Sequence, residues 1–301
     1  MTDLSIAAAA APSEPVKGRS LWDDARRRLA RNPAAMISLY ATAFLVLLAI
    51  FGPLLWVHQY DTIYPDRVAL APTFAHMHLL GTDTIGRDIV ARLLVGLRVS
   101  LLVGAAATLV ALTIGVTYGA VAGFMGGWLD EAMMRIVDIL YAIPFVFFVI
   151  VLMSVVQLRD PLANLMLIFM AIGAVEWLTM ARIVRGQTLS LRHKEFVDAA
   201  RAAGATPLQI VFRHIVPNVL GPVVVFATLN VPVIILTESF LSFIGLGVQE
   251  PLTSLGKLIK EGADQMIAAP WMLVSPALVM LVTLLALNFL GDGLRDAVDG
   301  E

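Results

Sequence analysis

The chain has 301 residues, of which 59% are hydrophobic and only 15% charged, with a mean hydropathy of +0.84 and a formal net charge of −2. Soluble domains run at about 45–50% apolar and about 25% charged, so the apolar excess is too large for one globular core and must face lipid. The charge balance excludes a dominant nucleic-acid footprint, and the absence of cysteine excludes disulfides, thiolate metal sites and cysteine nucleophiles.

Taken in chain order, residues 1–18 (MTDLSIAAAAAPSEPVKG) carry acids and prolines but no basic n-region. They read as a disordered tail rather than a cleavable signal peptide, the start of a tail domain over 1–33. Crossing a hydrocarbon core takes roughly 20 apolar helical residues, and six stretches qualify: 34–57, 97–123, 136–157, 162–180, 219–240 and 272–290. The chain is therefore predicted to be an all-α membrane protein with a six-helix domain over 34–290 and a second tail over 291–301. Gly104, Gly115, Gly119 and Gly123 fall mostly on a spacing of four, which suits close helix approach. Pro144 in the third span, and Pro222 and Pro232 in the fifth, predict kinks whose freed carbonyls neighbouring helices satisfy. The segments at 58–96 and 241–271 are half-apolar and are expected to lie at the interface or dip into the bundle.

Orientation follows from Lys and Arg. Putting the N-terminus inside places fourteen of the 21 basic residues on the inner side. The two richest clusters, 17–31 and 182–213, both fall there, so both termini are expected in the cytoplasm.

The inner loop over 181–218 is far longer than a connection between two spans requires. Residues 192–203 are good helix formers, with Phe196, Ala200 and Ala203 at helical spacing on one face. Gly204 is placed to end that helix in the left-handed conformation. Thr206, Pro207 and Gln209 have the pattern of a capping box with proline at the first helical position, opening a second short helix that Pro217 stops. A rigid helix showing Lys194, Glu195, Asp198 and Arg201 beside small residues suits docking into a partner's groove; an amphipathic surface helix without a partner fits the pattern equally.

The run Asp198-Ala199-Ala200, then Gly204, then Ile215-Val216-Pro217 resembles the EAA signature of bacterial ABC importer membrane subunits. Asp stands for the usual Glu, keeping the acid, and Val216 for the usual Leu; Glu195 is out of register with Gly204. His78-Leu79-Leu80-Gly81-Thr82-Asp83, Gly86-Arg87-Asp88, Arg98-Val99-Ser100-Leu101 and Gly291-Asp292-Gly293-Leu294-Arg295-Asp296-Ala297 are similar to the peptide and nickel permease branch. The stretches ARIVRGQTLSL, RHIVPNVLG and ESFLSFIGLGVQEPL look like those of C-type oligopeptide permease subunits. The resemblance implies a type I ABC importer permease fold in a bacterial inner membrane and a coupling role for Glu195, Asp198, Ala199, Ala200, Gly204 and Pro217. It implies a homologous B-type permease, two ATP-binding subunits and an extracytoplasmic peptide-binding protein as partners, with oligopeptide as substrate. ATP and Mg would sit on the ATPases, since this chain has no GxxxxGK[ST] and is expected to bind no cofactor itself.

Ionisable or polar groups within spans are functional candidates. Glu176 either lines the path or reaches the interface. Glu238 either faces the path, where it would meet a peptide's amino terminus, or anchors at the interface. Asn230 fits an interhelical hydrogen bond or a place in the path. Asp130, Glu131, Arg135 and Asp138 suggest local ion pairs. The glycine turns around 81–88 are expected to fix a re-entry helix flanked by Arg92 and Arg98. His76 and His78 read as solvated side chains rather than a metal site. The rival readings are an ion-coupled secondary transporter acting without an ATPase, which needs mid-span charges that are nearly absent, and an intramembrane enzyme, for which no catalytic constellation is discernible.

Overall fold

A computed structural model of the chain describes residues 21–156 and 160–299. The reading of residues 1–18 as a disordered tail lies outside them. Among the described residues the regular secondary structure is helical, apart from an isolated β-bridge between Thr82 and Asp88. Five helices are long and apolar enough to cross a membrane, and a bent pair makes a sixth crossing if it is one span.

A short helix α1 (Leu21–Arg31) precedes α2 (Pro33–Leu55). Asn32 caps α2 by accepting from the Ala35 amide at 3.2 Å, and Pro33 takes the first turn, where no amide is missed. Pro53 cannot donate to the Ala49 carbonyl four residues back. Arg98 donates to that carbonyl, and to the next one at Ile50, at 2.8 Å each. A folded loop over 56–88 leads to α3 (Ile89–Met125), capped by Asp88, which accepts from the Ala91 amide at 2.8 Å. Helix α3 begins eight residues before the apolar stretch predicted from 97, and no re-entry helix forms. Gly81 and Gly86, both at positive φ, instead make tight turns that feed directly into α3.

The third predicted span is broken. Helices α4 (Gly127–Tyr141) and α5 (Phe145–Val155) meet at 77°, with Pro144 capping α5. Proline removes a helical amide and drives the residue before it out of the α region, which is enough to split the pair. Helix α6 (Pro161–Leu191), capped by Asp160, runs eleven residues past the predicted end. The first part of the supposed inner loop is thus the end of a spanning helix. Then come α7 (Glu195–Ala202), α8 (Pro207–Ile210), a five-residue π turn (Val211–Ile215) and α9 (Val216–Phe243). Pro217 does not end a helix but lies in the first turn of α9, and α9 continues through Pro222 and Pro232. Helices α10 (Leu255–Asp264) and α11 (Trp271–Asp299) complete the fold. The predicted C-terminal tail is helical to residue 299, with Gly291, Gly293 and Ala297 buried.

Helix α3 packs most extensively against α6. A Cβ on Gly115 would lie 2.6 Å from Met180 Cβ, one on Gly119 would overlap the Ala181 carbonyl, and one on Gly123 would lie 2.8 Å from the Arg185 carbonyl. The glycine spacing is therefore the seam along which the two backbones touch, as expected. Gly119→Val should overpack this seam and lower stability by about 1–3 kcal/mol. Thermal unfolding of the detergent-solubilised chain checks this, and an unchanged midpoint would refute the close seam.

Candidate coupling surface

The loop between α6 and α9 is held by two termini placed back to back. At the end of α7, the Gly204 amide donates to the Arg201 carbonyl (3.0 Å) and the Ala205 amide to the Ala200 carbonyl (3.1 Å), with Gly204 at φ +82°. These two bonds make a Schellman cap, which satisfies carbonyls that the helix end would leave free. Two residues on, the Gln209 amide donates to Thr206 Oγ1 (3.4 Å), while the Thr206 amide donates to Gln209 Oε1 (2.9 Å), closing the expected capping box. The Val216 amide then reaches back to the Val211 carbonyl, so a π turn links α8 to α9 ahead of Pro217.

The inward face of α7 is Val197 and Ala200, packed with Val116, Ala120, Phe124 and Val184 of α3 and α6. Of Phe196, Ala200 and Ala203, grouped by helical spacing, only Ala200 turns inward. Phe196 points outward at 37% exposed, and Ala203 is exposed as well. Val197, fully buried, decides which side of α7 meets the bundle. The outward surface carries Glu195, Phe196, Asp198, Ala199 and Arg201, continued by Leu208 (54% exposed) and Phe212 (50% exposed). Asp198 and Arg201 form an exposed ion pair at 2.9 Å. Of the six predicted coupling residues, Glu195, Asp198 and Ala199 lie on this surface, Ala200 supports it from beneath, Gly204 turns it, and Pro217 stands apart at the start of α9.

The element is fastened from behind. Arg185 of α6 grips Asp130 of α4 through two bonds of 2.5 and 2.6 Å, and Arg182 donates to Asp138 at 2.8 Å. Asp130 and Asp138 thus pair across helices rather than with their own neighbours. Arg192 donates to the Gly123 carbonyl (3.3 Å), and the Arg201 guanidinium lies 5.5 Å from the centre of the Phe124 ring.

Of the polar groups within the spans, Asn230 Nδ2 donates to Glu176 Oε2 at 2.9 Å, tying α9 to α6. Glu238 is fully buried and meets no open surface of this chain: Ser242 donates to it at 2.6 Å and Ser100 at 3.3 Å.

Residues 115–300 match the family described as binding-protein-dependent transport system inner membrane component, and residues 20–72 match the N-terminal TM domain of oligopeptide transport permease C. The oligopeptide transport system permease protein OppC of Haemophilus influenzae is 50% identical over 94% of this chain and 90% of its own length. OppC of Escherichia coli K12 is 52% identical over 94% and 92%. The chain belongs to the binding-protein-dependent permease family. Among solved structures, the inward-facing MetNI methionine ABC transporter matches with a TM-score of 0.55 at 20% identity, covering 68% of this chain and 96% of that one, which establishes a shared ABC importer permease fold. The chain is accordingly a membrane transport subunit rather than an enzyme.

At the end of the permease remote from α7, a buried polar knot joins the 56–88 loop, α3 and α10. Asp83 accepts from Arg87 Nε (2.7 Å) and Arg92 Nη1 (2.8 Å), and Arg92 donates two bonds to Glu261, at 2.5 and 3.1 Å. Arg92 is 2% exposed. Arg87 also reaches Glu250 at 3.3 Å. Burial opposes the Arg87 charge, but Asp83, Glu250 and Glu261 outweigh it and raise its pKa above the ordinary arginine value. Burial is the larger influence on Lys257, whose pKa is lowered.

Beside this knot His78 is buried, contrary to its reading as solvated, while His76 is exposed. Arginine can only donate, so Arg67, 3.2 Å from His78 Nε2, fixes that nitrogen as acceptor; Nδ1–H then donates to Asp88 at 2.9 Å. His58 Nε2–H donates to the His76 carbonyl (2.8 Å), and its Nδ1 accepts from Tyr64 (2.9 Å). His58, His78 and Asp88 bring ligand-type atoms within 4.8 Å of one another. The two rings nevertheless stack at 4.4 Å and 18°, so their in-plane lone pairs run side by side and do not converge on an ion, and all four ring nitrogens are already bonded. The group reads as structural.

The Asp83/Arg87 spacing is visible in the sequence, but Arg92's pairing with Asp83 nine residues back and with Glu261 169 residues away is not. Asp83→Ala should leave two buried guanidinium groups short of an acceptor and cost about 3–5 kcal/mol. Adding Arg92→Leu should recover part of that loss. Thermal unfolding of both variants in detergent checks the pair; a single variant as stable as the parent would dismiss the knot as a surface feature.

Proposed function

We propose that the chain is the C-type permease subunit of an ATP-driven oligopeptide importer in a bacterial inner membrane, forming half of the translocation path. One observation carries the reading: a rigid, doubly capped helix pair that exposes acid, base and aromatic side chains at the position of the EAA-like run. Its relatives' names, oligopeptide transport system permease proteins, support the substrate class. The partners are a homologous B-type permease, two ATP-binding subunits seated on the α7–α8 surface, and an extracytoplasmic protein that delivers peptide. ATP and Mg belong to the ATP-binding subunits. Both termini lie in the cytoplasm, since the basic clusters at 17–31 and 182–213 then fall inside.

In this reading closure of the ATPase dimer pushes on Glu195, Phe196, Asp198 and Leu208. The push reaches α3 and α6 through Val197, Ala200 and Arg192, so the nucleotide state biases which face of the path is open. Glu176 and Asn230, joined across α6 and α9, occupy the depth at which such a change would be felt. Helix α7 supplies contact and register; the chemistry stays on the ATPases.

Asp198→Arg should reduce copurification of the ATPase, or peptide-stimulated ATP hydrolysis, by on the order of tenfold or more through like-charge contact. Gly204→Ala isolates the turn, because a Cβ there meets nothing within 4 Å, leaving only the left-handed backbone cost of roughly 1–2 kcal/mol. Pull-down from gently solubilised membranes with an ATPase assay reads both. A wild-type chain that comes out alone and without ATPase activity, even after crosslinking, would favour a secondary transporter instead.

A further inference from the structure

We infer that the foot of α1, α2 and α11 is a binding site for an anionic phospholipid, with headgroup and acyl chain held by adjoining parts of one surface. The headgroup part is α1. Arg26, Arg27, Arg28 and Arg31 are all exposed, and none of them forms an ion pair with an acid among the described residues. The opposite side of α1 rests on the bundle. Leu29 reaches the point where Gly293 of α11 lets Ala35 of α2 approach, and a Cβ on Gly293 would overlap Ala35 and lie 3.6 Å from Leu29 Cδ1. Helix α1 is therefore seated at the junction of α2 and α11, with its arginines turned outward.

The acyl part begins three residues beyond Arg31. A groove of about 350 Å³ runs between α2 and α11, lined by Ala34, Ile37, Ala41, Val282, Leu285 and Phe289. Its one hydroxyl, Ser38, is spent on the Ala35 carbonyl at 2.9 Å, so the groove offers an apolar wall. Two independent features thus adjoin: a cluster of permanent cations with five donors each, and a dry trough running away from it along two spanning helices. A free anion would use only the first and a neutral lipid only the second. A phosphodiester headgroup with net negative charge, carrying acyl chains, uses both.

The site depends only on the membrane placement of α2 and α11, so it can fail while the importer reading stands. The experiment titrates the delipidated full-length importer complex with dioleoyl phosphatidylglycerol or dioleoyl phosphatidylcholine and counts retained lipids by native mass spectrometry. The wild type should retain phosphatidylglycerol on the order of tenfold more tightly. Arg28→Gln/Arg31→Gln should bring it to the phosphatidylcholine level, Arg28→Lys/Arg31→Lys should keep most of the preference, and Ala41→Phe should weaken both lipids by filling the groove. Equal retention of the two lipids by the wild type would overturn the proposal without reference to any variant. So would a photocrosslinker at Ile37 that captures the second permease or the N-terminal tail in place of lipid.

Discussion

The contact on which the rest of this permease depends is the glycine seam between α3 and α6. Two spanning helices usually keep enough distance for side chains to interdigitate; here Gly115, Gly119 and Gly123 let backbone meet backbone. Lipid provides no hydrophobic drive for helices to associate, so van der Waals contact at this range carries more of the cohesion than it would in water. Everything that fixes α7 is built on that seam: Val197 and Ala200 settle on residues from both helices, and Arg192, just past the end of α6, bonds the Gly123 carbonyl at the seam's end.

The two ends of the molecule use opposite chemistry. At the α7 end, local backbone caps make a rigid element whose outward side chains stay exposed. At the other end, Asp83, Arg87 and Arg92 spend their charges on one another and on Glu261 at the rim, largely out of water. Such pairs return little net energy against apolar packing but penalise any arrangement that separates them. The knot therefore acts as a register device, holding the 56–88 loop and α10 in one position over α3.

What the sequence revealed follows the range of each interaction. The Schellman glycine, the capping box and the small-residue spacing were legible because each is decided within about seven residues. The end of α6 was not, because Arg182, Arg185 and Gln187 lower the hydropathy there while remaining good helix formers, with Asp130 and Asp138 waiting on α4. His78 passed for a solvated loop residue because its partners, Arg67 and Asp88, lie about ten residues to either side of it in an irregular segment. Which side of α7 meets the bundle was left open by the helical spacing, and Val197 and Ala200 settle it through contacts distant in sequence. Glu238 gave no sign of its enclosure, since two of the serines around it come from other helices or from the segment before α10.

The break at Pro144 divides what would have been one span into two bodies with different attachments. Helix α4 is splinted to α6 by Arg185 and Asp130, with Arg182 and Asp138 farther along. Helix α5 carries no charged residue to pair in that way, and Val149 sits in one apolar cluster with Leu165 and Ile168 of α6. Under the proposed coupling, a displacement entering at α7 would carry α4 along with α6 through these ion pairs, while α5 would follow through apolar contact, which resists sliding less. The elbow between them would then be a slip joint, where motion at one membrane face need not be copied at the other.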